Sequence, residues 1–407
     1  MLKKVMIISS SVGAGHVRAA TAVEQACRHS GQFESVQHID MLHYSSRLFR
    51  SLYRMSYVGM VQRSPMLYGW LYRQTDRPWK NIRKRVAVEK WHIRKFIRLL
   101  RRERPDVCIC THFLPAEILS WQIAKGKLDT RHLVVVTDFD VHAMWLCRRA
   151  EHFFVGMEES RALLMDQGVG EEFVCTSGIP IDRSFTEKKD KGQSRTAVGL
   201  DADKRTLLVS AGGMGFGPVV RITRELLKLK HSLQIVVICG RNKRLRKRIR
   251  RLLTKRPPPA HLRFVVLGFT NQMDTYMSAA DLIVGKTGGL TTSEALARHL
   301  PFVVFNTIPG QEQRNADYLL ENGAALRCNN PETIAYKIDQ ILAEPGRLEH
   351  MQQQAAKLAR PQAAQIIVDY LRKFPEPVNN NNAVVRKVKR RWRMISAFSS
   401  EPQPVNS

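Results

Sequence analysis

At 407 residues with 44% apolar side chains, the chain is long enough for two domains and apolar enough to bury substantial cores, which excludes a disordered protein. Its formal net charge of +29 attracts polyanions, either nucleic acid or anionic lipid surfaces, and composition does not choose between them; a generally basic, solvated surface is the plainer alternative. No apolar run reaches the roughly 20 residues that span a bilayer, and the seven cysteines, without metal spacing, read as packed thiols in a reducing compartment.

In chain order, residues 5–9 read as a buried strand behind a short basic start. That apolar stretch is too short for a signal peptide, so a cytoplasmic protein is expected. Residues 21–29 read as a helix, and 107–110 and 133–137 as further strands. Short β-branched runs separated by helices predict parallel strands with crossover helices. Residues 44–104 differ, being dense in Arg and Lys and laced with Tyr53, Tyr57, Tyr68, Trp70, Tyr72, Trp79 and Trp91. Such a mixture suits a membrane interface or stacking on nucleic acid; an amphipathic helix pair with a basic outer face is the alternative. The polar stretch 186–195 reads as a linker. A second alternating series follows, with strands at 207–210, 235–239, 264–267, 282–284 and 302–305. Residues 241–256 are a very basic helix-like run, either a solvated face or an anionic-surface footprint. After Asn379–382 the tail is basic and aromatic, and could dock on anionic lipid. The expected organisation is an N-terminal domain over 1–185, a C-terminal domain over 186–375 and a tail over 376–407.

Two glycine clusters carry chemistry. Gly13-Ala-Gly15-His16 follows the first strand and opens the first helix, where a ligand can approach the backbone and the helix N-terminus favours anions. It is neither a Walker A loop nor a full GxGxxG. His16 there is placed as a general base, with a capping or packing role as the alternative. The second cluster, Gly285-Lys-Thr-Gly288-Gly289-Leu290-Thr291-Thr292-Ser293-Glu294, reads as strand, glycine turn and helix. Its backbone N–H groups suit a phosphate, Thr291 and Thr292 can cap or bind it, and Glu294 can accept from a ribose diol; a capped helix start is the alternative. Gln311 and Glu312, side by side after Pro309-Gly310, suit sugar hydroxyls.

Taken together, GAGH near the N-terminus, VTDFDVHAMW at 136–145, SGIPI at 177–181, VSAGGMG at 209–215, GKTGGLTTSEAL at 285–296 and IPGQEQRNADYL at 308–319 resemble the diacylglycerol glycosyltransferase family. That family includes the monogalactosyldiacylglycerol synthases and bacterial diacylglycerol glucosyltransferases. The resemblance covers about residues 1–375 and implies an α/β protein of GT-B type, two Rossmann-like doubly wound parallel-sheet domains facing across a cleft. It further implies that Gly288, Gly289, Leu290 and Thr291 cradle the diphosphate of a UDP-sugar, with Gly213 on the same rim. Glu294 would hold the ribose, Gln311 and Glu312 the sugar, and Phe269 and Thr270 lie by the uracil. His16 matches the base, Asp138 an acidic position near the acceptor, and Gly13 and Gly15 form the acceptor loop. Thr287 stands where many relatives have Pro, which is expected to loosen the loop; the first loop has GAGH with Val12 rather than three consecutive glycines.

The implied reaction is inverting transfer of a hexose to diacylglycerol at the inner face of the cell membrane, on an anionic surface, with no cofactor and no metal. A polyprenyl-linked sugar or another acceptor is the first rival. A non-catalytic basic protein is the second, but no helix-turn-helix, RNP or zinc signature supports specific nucleic-acid binding. Glucose against galactose, one sugar or several, the linkage and the oligomeric state stay open.

Overall fold

The first strand, β1 (Lys4–Ser9), is buried from Val5 to Ser9, which requires cover on both faces. The computed structural model, which describes residues 4–47, 49–51, 60, 64–76, 93–215, 217–305 and 307–373, supplies that cover with helices. From β1 the chain runs through α1 (Ala14–His29), β2 (Ser35–Asp40), α2 (Pro65–Thr75), α3 (Arg94–Glu103), β3 (Val107–Cys110), α4 (Phe113–Ala124), β4 (Arg131–Val135), β5 (His152–Val155), α5 (Glu158–Asp166) and β6 (Val174–Thr176). These six strands form one parallel sheet in the order β2-β1-β3-β4-β5-β6.

After α6 (Lys191–Ala197) a second series begins: β7 (Thr206–Ser210), α7 (Val219–Leu226), β8 (Leu233–Ile238), α8 (Lys243–Lys255), β9 (Leu262–Leu267), α9 (Met273–Ala279), β10 (Leu282–Gly285), α10 (Gly289–Ala297), β11 (Phe302–Val304), α11 (Gln311–Glu321), β12 (Ala325–Arg327), α12 (Ile334–Ala343), α13 (Arg347–Leu358) and α14 (Ala363–Arg372). The second sheet is again parallel and six-stranded, ordered β12-β11-β10-β7-β8-β9. Each order reverses at an internal point, between β1 and β3 in the first sheet and between β7 and β10 in the second. Open α/β sheets bind ligands at such switch points, outside the carboxyl ends of the strands.

An apolar core joins the two halves. Ala19, Phe139, Met157, Ile179 and Ile181 of the first pack in one buried cluster with Leu290, Ala295 and Leu296 of the second. The last helix crosses back: Ile367, Val368 and Leu371 of α14 share a core with Val5, Ile7, Ala20 and Val23. The last part of the segment 186–375 therefore packs on the N-terminal sheet.

The polar stretch read as a linker is a correction. Residues 191–197 form α6, capped by Asp190, whose side chain accepts from the Gln193 N–H at 2.7 Å. Its charges find partners far along the chain: Lys189 pairs with Asp274, and Lys191 and Arg195 both pair with Asp281 at 2.7 Å. In the basic segment, α3 buries Phe96, Leu99 and Leu100 and exposes Arg98 and Arg101, so this part is an amphipathic helix with a basic outer face. The basic run 241–256 is α8, which buries Leu245 and Ile249 and leaves Lys243, Arg244, Lys247, Arg248 and Arg251 exposed. Tyr53, Tyr57, Trp79, Trp91 and the tail 376–407 lie outside the described residues.

Candidate active site

The first switch point holds His16. Gly13 occupies the N-cap of α1 with nothing near the position of a Cβ, and His16 falls in the first turn. Thr111, just past β3, clamps that turn: its hydroxyl donates to the His16 carbonyl at 2.9 Å, and its own carbonyl lies 3.0 Å from His16 Nδ1. A carbonyl can only accept, so the proton sits on Nδ1 and Nε2 keeps its lone pair. Thr137 Oγ1 is 2.7 Å from the same Nδ1. Burial lowers the pKa of His16 to about 4, against the opposing Thr111 bond, so the ring is neutral near pH 7.

The second switch point holds the glycine turn. Gly288 caps α10 with no side-chain cap, which leaves the first-turn N–H groups of that helix without partners in the helix, as at any helix start that can take an anion. Thr292 is fully buried with an unpartnered hydroxyl, whereas Thr291 is partly exposed, so of the two threonines Thr291 is the one a ligand can reach. Gly213 lies open on the neighbouring loop. Phe269, half-exposed, follows β9 beneath the Arg241 guanidinium, 4.9 Å from the ring centroid. The Thr270 hydroxyl accepts from the Gln272 N–H at 3.0 Å and shapes that turn. Thr287 is anchored at both ends. It donates to the Glu312 carbonyl at 2.7 Å, and its own carbonyl accepts from Asn315 Nδ2 at 2.9 Å, so the hydroxyl ties the two loops of the second domain together.

The two switch points meet directly. A Cβ on Gly289 would run into the Thr137 carbonyl oxygen, and one on Gly15 would touch Leu290 Cβ at 3.9 Å. Thr137 thus lies between His16 and the start of α10. Asp138, next in sequence, accepts from Gln311 Nε2 at 2.7 Å; burial raises its carboxyl to about 6, while the bonds from Gln311 and Asn315 oppose that rise. Asn315 also accepts from the Phe139 N–H at 3.0 Å. Arg314 pairs with Asp140 and, at 2.7 Å, with Asp76. The ring of Tyr72 covers Gly310, whose φ of +92° and 2.7 Å clearance leave no room for a side chain.

Two carboxylates are occupied in this state. Glu294, almost fully buried, is held by Arg18 from α1, and burial raises its carboxyl to about 7 although Arg18 opposes it. Glu312 accepts from the Ile308 N–H at 2.8 Å, and burial pushes its carboxyl up against Lys286. Arg18, Arg314 and Asn315 escape a reading of the sequence, because their partners lie in the other domain and no local spacing marks them.

Where the halves meet, a pocket opens to solvent. His16, His112, Tyr72, Trp145 and Asp138 line it from the first domain and Gln311 from the second. Phe113, Met144 and Tyr68 make most of the remaining wall apolar or aromatic.

The same two-sheet architecture recurs in solved structures at identities that speak only to fold. MurG from Acinetobacter baumannii matches with a TM-score of 0.59 at 18% identity, over 91% of this chain and 100% of its own. The UDP-GlcNAc 2-epimerase from Neisseria meningitidis matches at 0.58 and 15%, over 92% and 100%. The fold is GT-B, with His16 of the first domain and the glycine turn of the second on either side of the cleft. Residues 16–181 match the monogalactosyldiacylglycerol synthase model, and residues 206–367 the glycosyltransferase family 28 C-terminal domain. Proteins named processive diacylglycerol beta-glucosyltransferase are similar over nearly the whole length. The one from Bacillus licheniformis is 27% identical over 94% of this chain and 98% of its own, and one from Bacillus cereus 29% over 90% and 92%. Over both domains the chain is thus similar to diacylglycerol glycosyltransferases.

Proposed function

We propose that this enzyme transfers a hexose from a UDP-sugar to diacylglycerol with inversion at the anomeric carbon. The observation that carries the reading is the shared pocket, in which the His16 base and the Gln311 sugar loop face one space. The acceptor hydroxyl hands its proton to His16 Nε2 as it attacks. UDP departs from the opposite face, and its growing negative charge meets the N–H groups of Gly289, Leu290 and Thr291 and the positive end of α10. This chemistry asks for no metal. Gln311 and Glu312 hold the sugar, Phe269 and Thr270 the uracil. A fold neighbour was solved with UDP-GlcNAc bound, which fits a UDP-type donor.

On this reading the ribose hydroxyls take the Glu294 carboxylate from Arg18. Glu294→Ala is therefore expected to weaken UDP about tenfold, the worth of a hydrogen bond to a charged group. Titration calorimetry reads this directly, and wild-type affinity in the variant rejects the ribose role.

The acceptor requires a lipid surface, and α2 provides the contact. Its inner face, Tyr68 and Tyr72, lines the pocket, while Met66, Leu67 and Trp70 stand in solvent, Met66 at 84% exposure and Trp70 at 50%. Apolar side chains exposed on one helix beside a lipid-accepting pocket fit docking on the inner face of the cell membrane, assisted by the basic tail. No helix among the described residues is long and apolar enough to cross a membrane. Changing Met66, Leu67 and Trp70 together to serine is expected to lower binding to anionic vesicles by at least about tenfold. Undiminished vesicle sedimentation would move the contact elsewhere.

A further inference from the structure

His112 stands beside the base, and the protonation of its ring follows from its partners. It is the N-cap of α4, and its Nδ1 accepts from the Leu114 N–H at 3.0 Å. A backbone N–H can only donate, so Nδ1 carries the lone pair and the proton sits on Nε2. This is the reverse of His16, whose Nδ1 faces the Thr111 carbonyl. Two adjacent residues, Thr111 and His112, therefore give the pocket two histidines of opposite tautomer. Their rings meet edge to face with centroids 4.6 Å apart, and both line the pocket. Burial holds His112 well below the ordinary histidine range, so it stays a neutral donor. The third pocket histidine is already committed: His142 Nδ1 accepts from Met144 N–H at 3.1 Å, and its Nε2 donates to the Tyr72 carbonyl at 2.9 Å.

One hydrogen-bond acceptor and one donor, side by side, match a ligand that offers a hydroxyl next to a carbonyl oxygen. Diacylglycerol offers this pair, a free hydroxyl on one carbon and an ester on the next. We propose that His112 is the residue that reads the acceptor, its Nε2–H donating to the ester carbonyl adjacent to the attacking hydroxyl. The inference rests on the diacylglycerol reading above and assigns the side chain that recognises the ester.

The test compares diacylglycerol with a dialkylglycerol of equal chain length, which keeps the hydroxyl but lacks the carbonyl, in mixed micelles. His112→Asn is the variant of choice: an Asn at an N-cap still accepts from the helix N–H, so the fold is kept while the reach into the pocket is lost. Wild type is expected to prefer the diacyl acceptor by about tenfold in kcat/KM, the worth of one hydrogen bond. His112→Asn is expected to lose that preference, its two acceptors becoming equivalent, with the KM for the UDP-sugar unmoved. Equal losses on both acceptors, or an intact preference, would overturn the proposal. Wild type that binds UDP yet glycosylates neither acceptor would instead overturn the diacylglycerol reading, and this inference with it.

Discussion

His16→Ala is expected to leave UDP affinity near the wild-type value while turnover falls by about a hundredfold to ten-thousandfold, the usual contribution of a positioned general base. The ring touches Thr111, Thr137, His112 and Trp145, all of the first domain, so its removal takes nothing from the donor loop. What is lost is Nε2, the atom that accepts the hydroxyl proton. The same burial has a consequence in pH. A base works only unprotonated, and with its pKa lowered from 6.5 to about 4 His16 remains unprotonated as pH falls through 6.5 and is lost only near 4. The acidic limb of kcat/KM assigned to it therefore lies near 4. An earlier step belongs to a carboxyl raised by burial, Asp138 at about 6 or Glu294 at about 7, and the Asp138 step is expected to vanish in Asp138→Asn. Turnover by His16→Ala at the wild-type rate removes the base from the mechanism.

Gly289→Ala acts where the two halves touch. The added methyl meets the Thr137 carbonyl, a backbone atom that cannot swing aside as a side chain would. Either α10 retreats, taking the anion-binding N–H groups with it, or the 137–140 loop retreats and tilts His16 through its bond to Thr137 Oγ1. Overpacking of this kind costs about 1–3 kcal/mol, and a displacement of about 1 Å in an active site costs about a hundredfold in rate. The melting temperature should fall and kcat with it. A variant that melts and turns over like wild type would show that the closed contact at Gly289 is not part of the working enzyme.

Much of this was legible in advance because the strands are buried on both faces. Such strands read as short apolar runs, and 107–110, 207–210 and 282–284 stand out for that reason. The edge strand β2 did not, because Ser35, Gln37 and His38 face outward or pair with polar neighbours, which breaks the apolar run. Helix α6 was hidden by its charges, since the partner of Lys191 and Arg195, Asp281, lies 90 and 86 residues on. The apolar stripe of α14, Ile367, Val368 and Leu371, does not say which sheet it covers. At the site, the glycine turns and His16 carry local signatures. The ties between domains, Arg18 to Glu294 and Arg314 to Asp76 and Asp140, join residues more than 170 positions apart, which no local pattern marks.

The central claim, that the shared pocket joins a UDP-sugar to diacylglycerol, is tested most directly by one incubation. Purified protein is mixed with diacylglycerol in micelles and a panel of UDP-sugars, and the lipids are weighed by mass spectrometry. A glycolipid heavier than diacylglycerol by one hexose, or a ladder of hexoses, is the result this account predicts. Unchanged diacylglycerol with every donor, from protein that also fails to bind UDP, would contradict it.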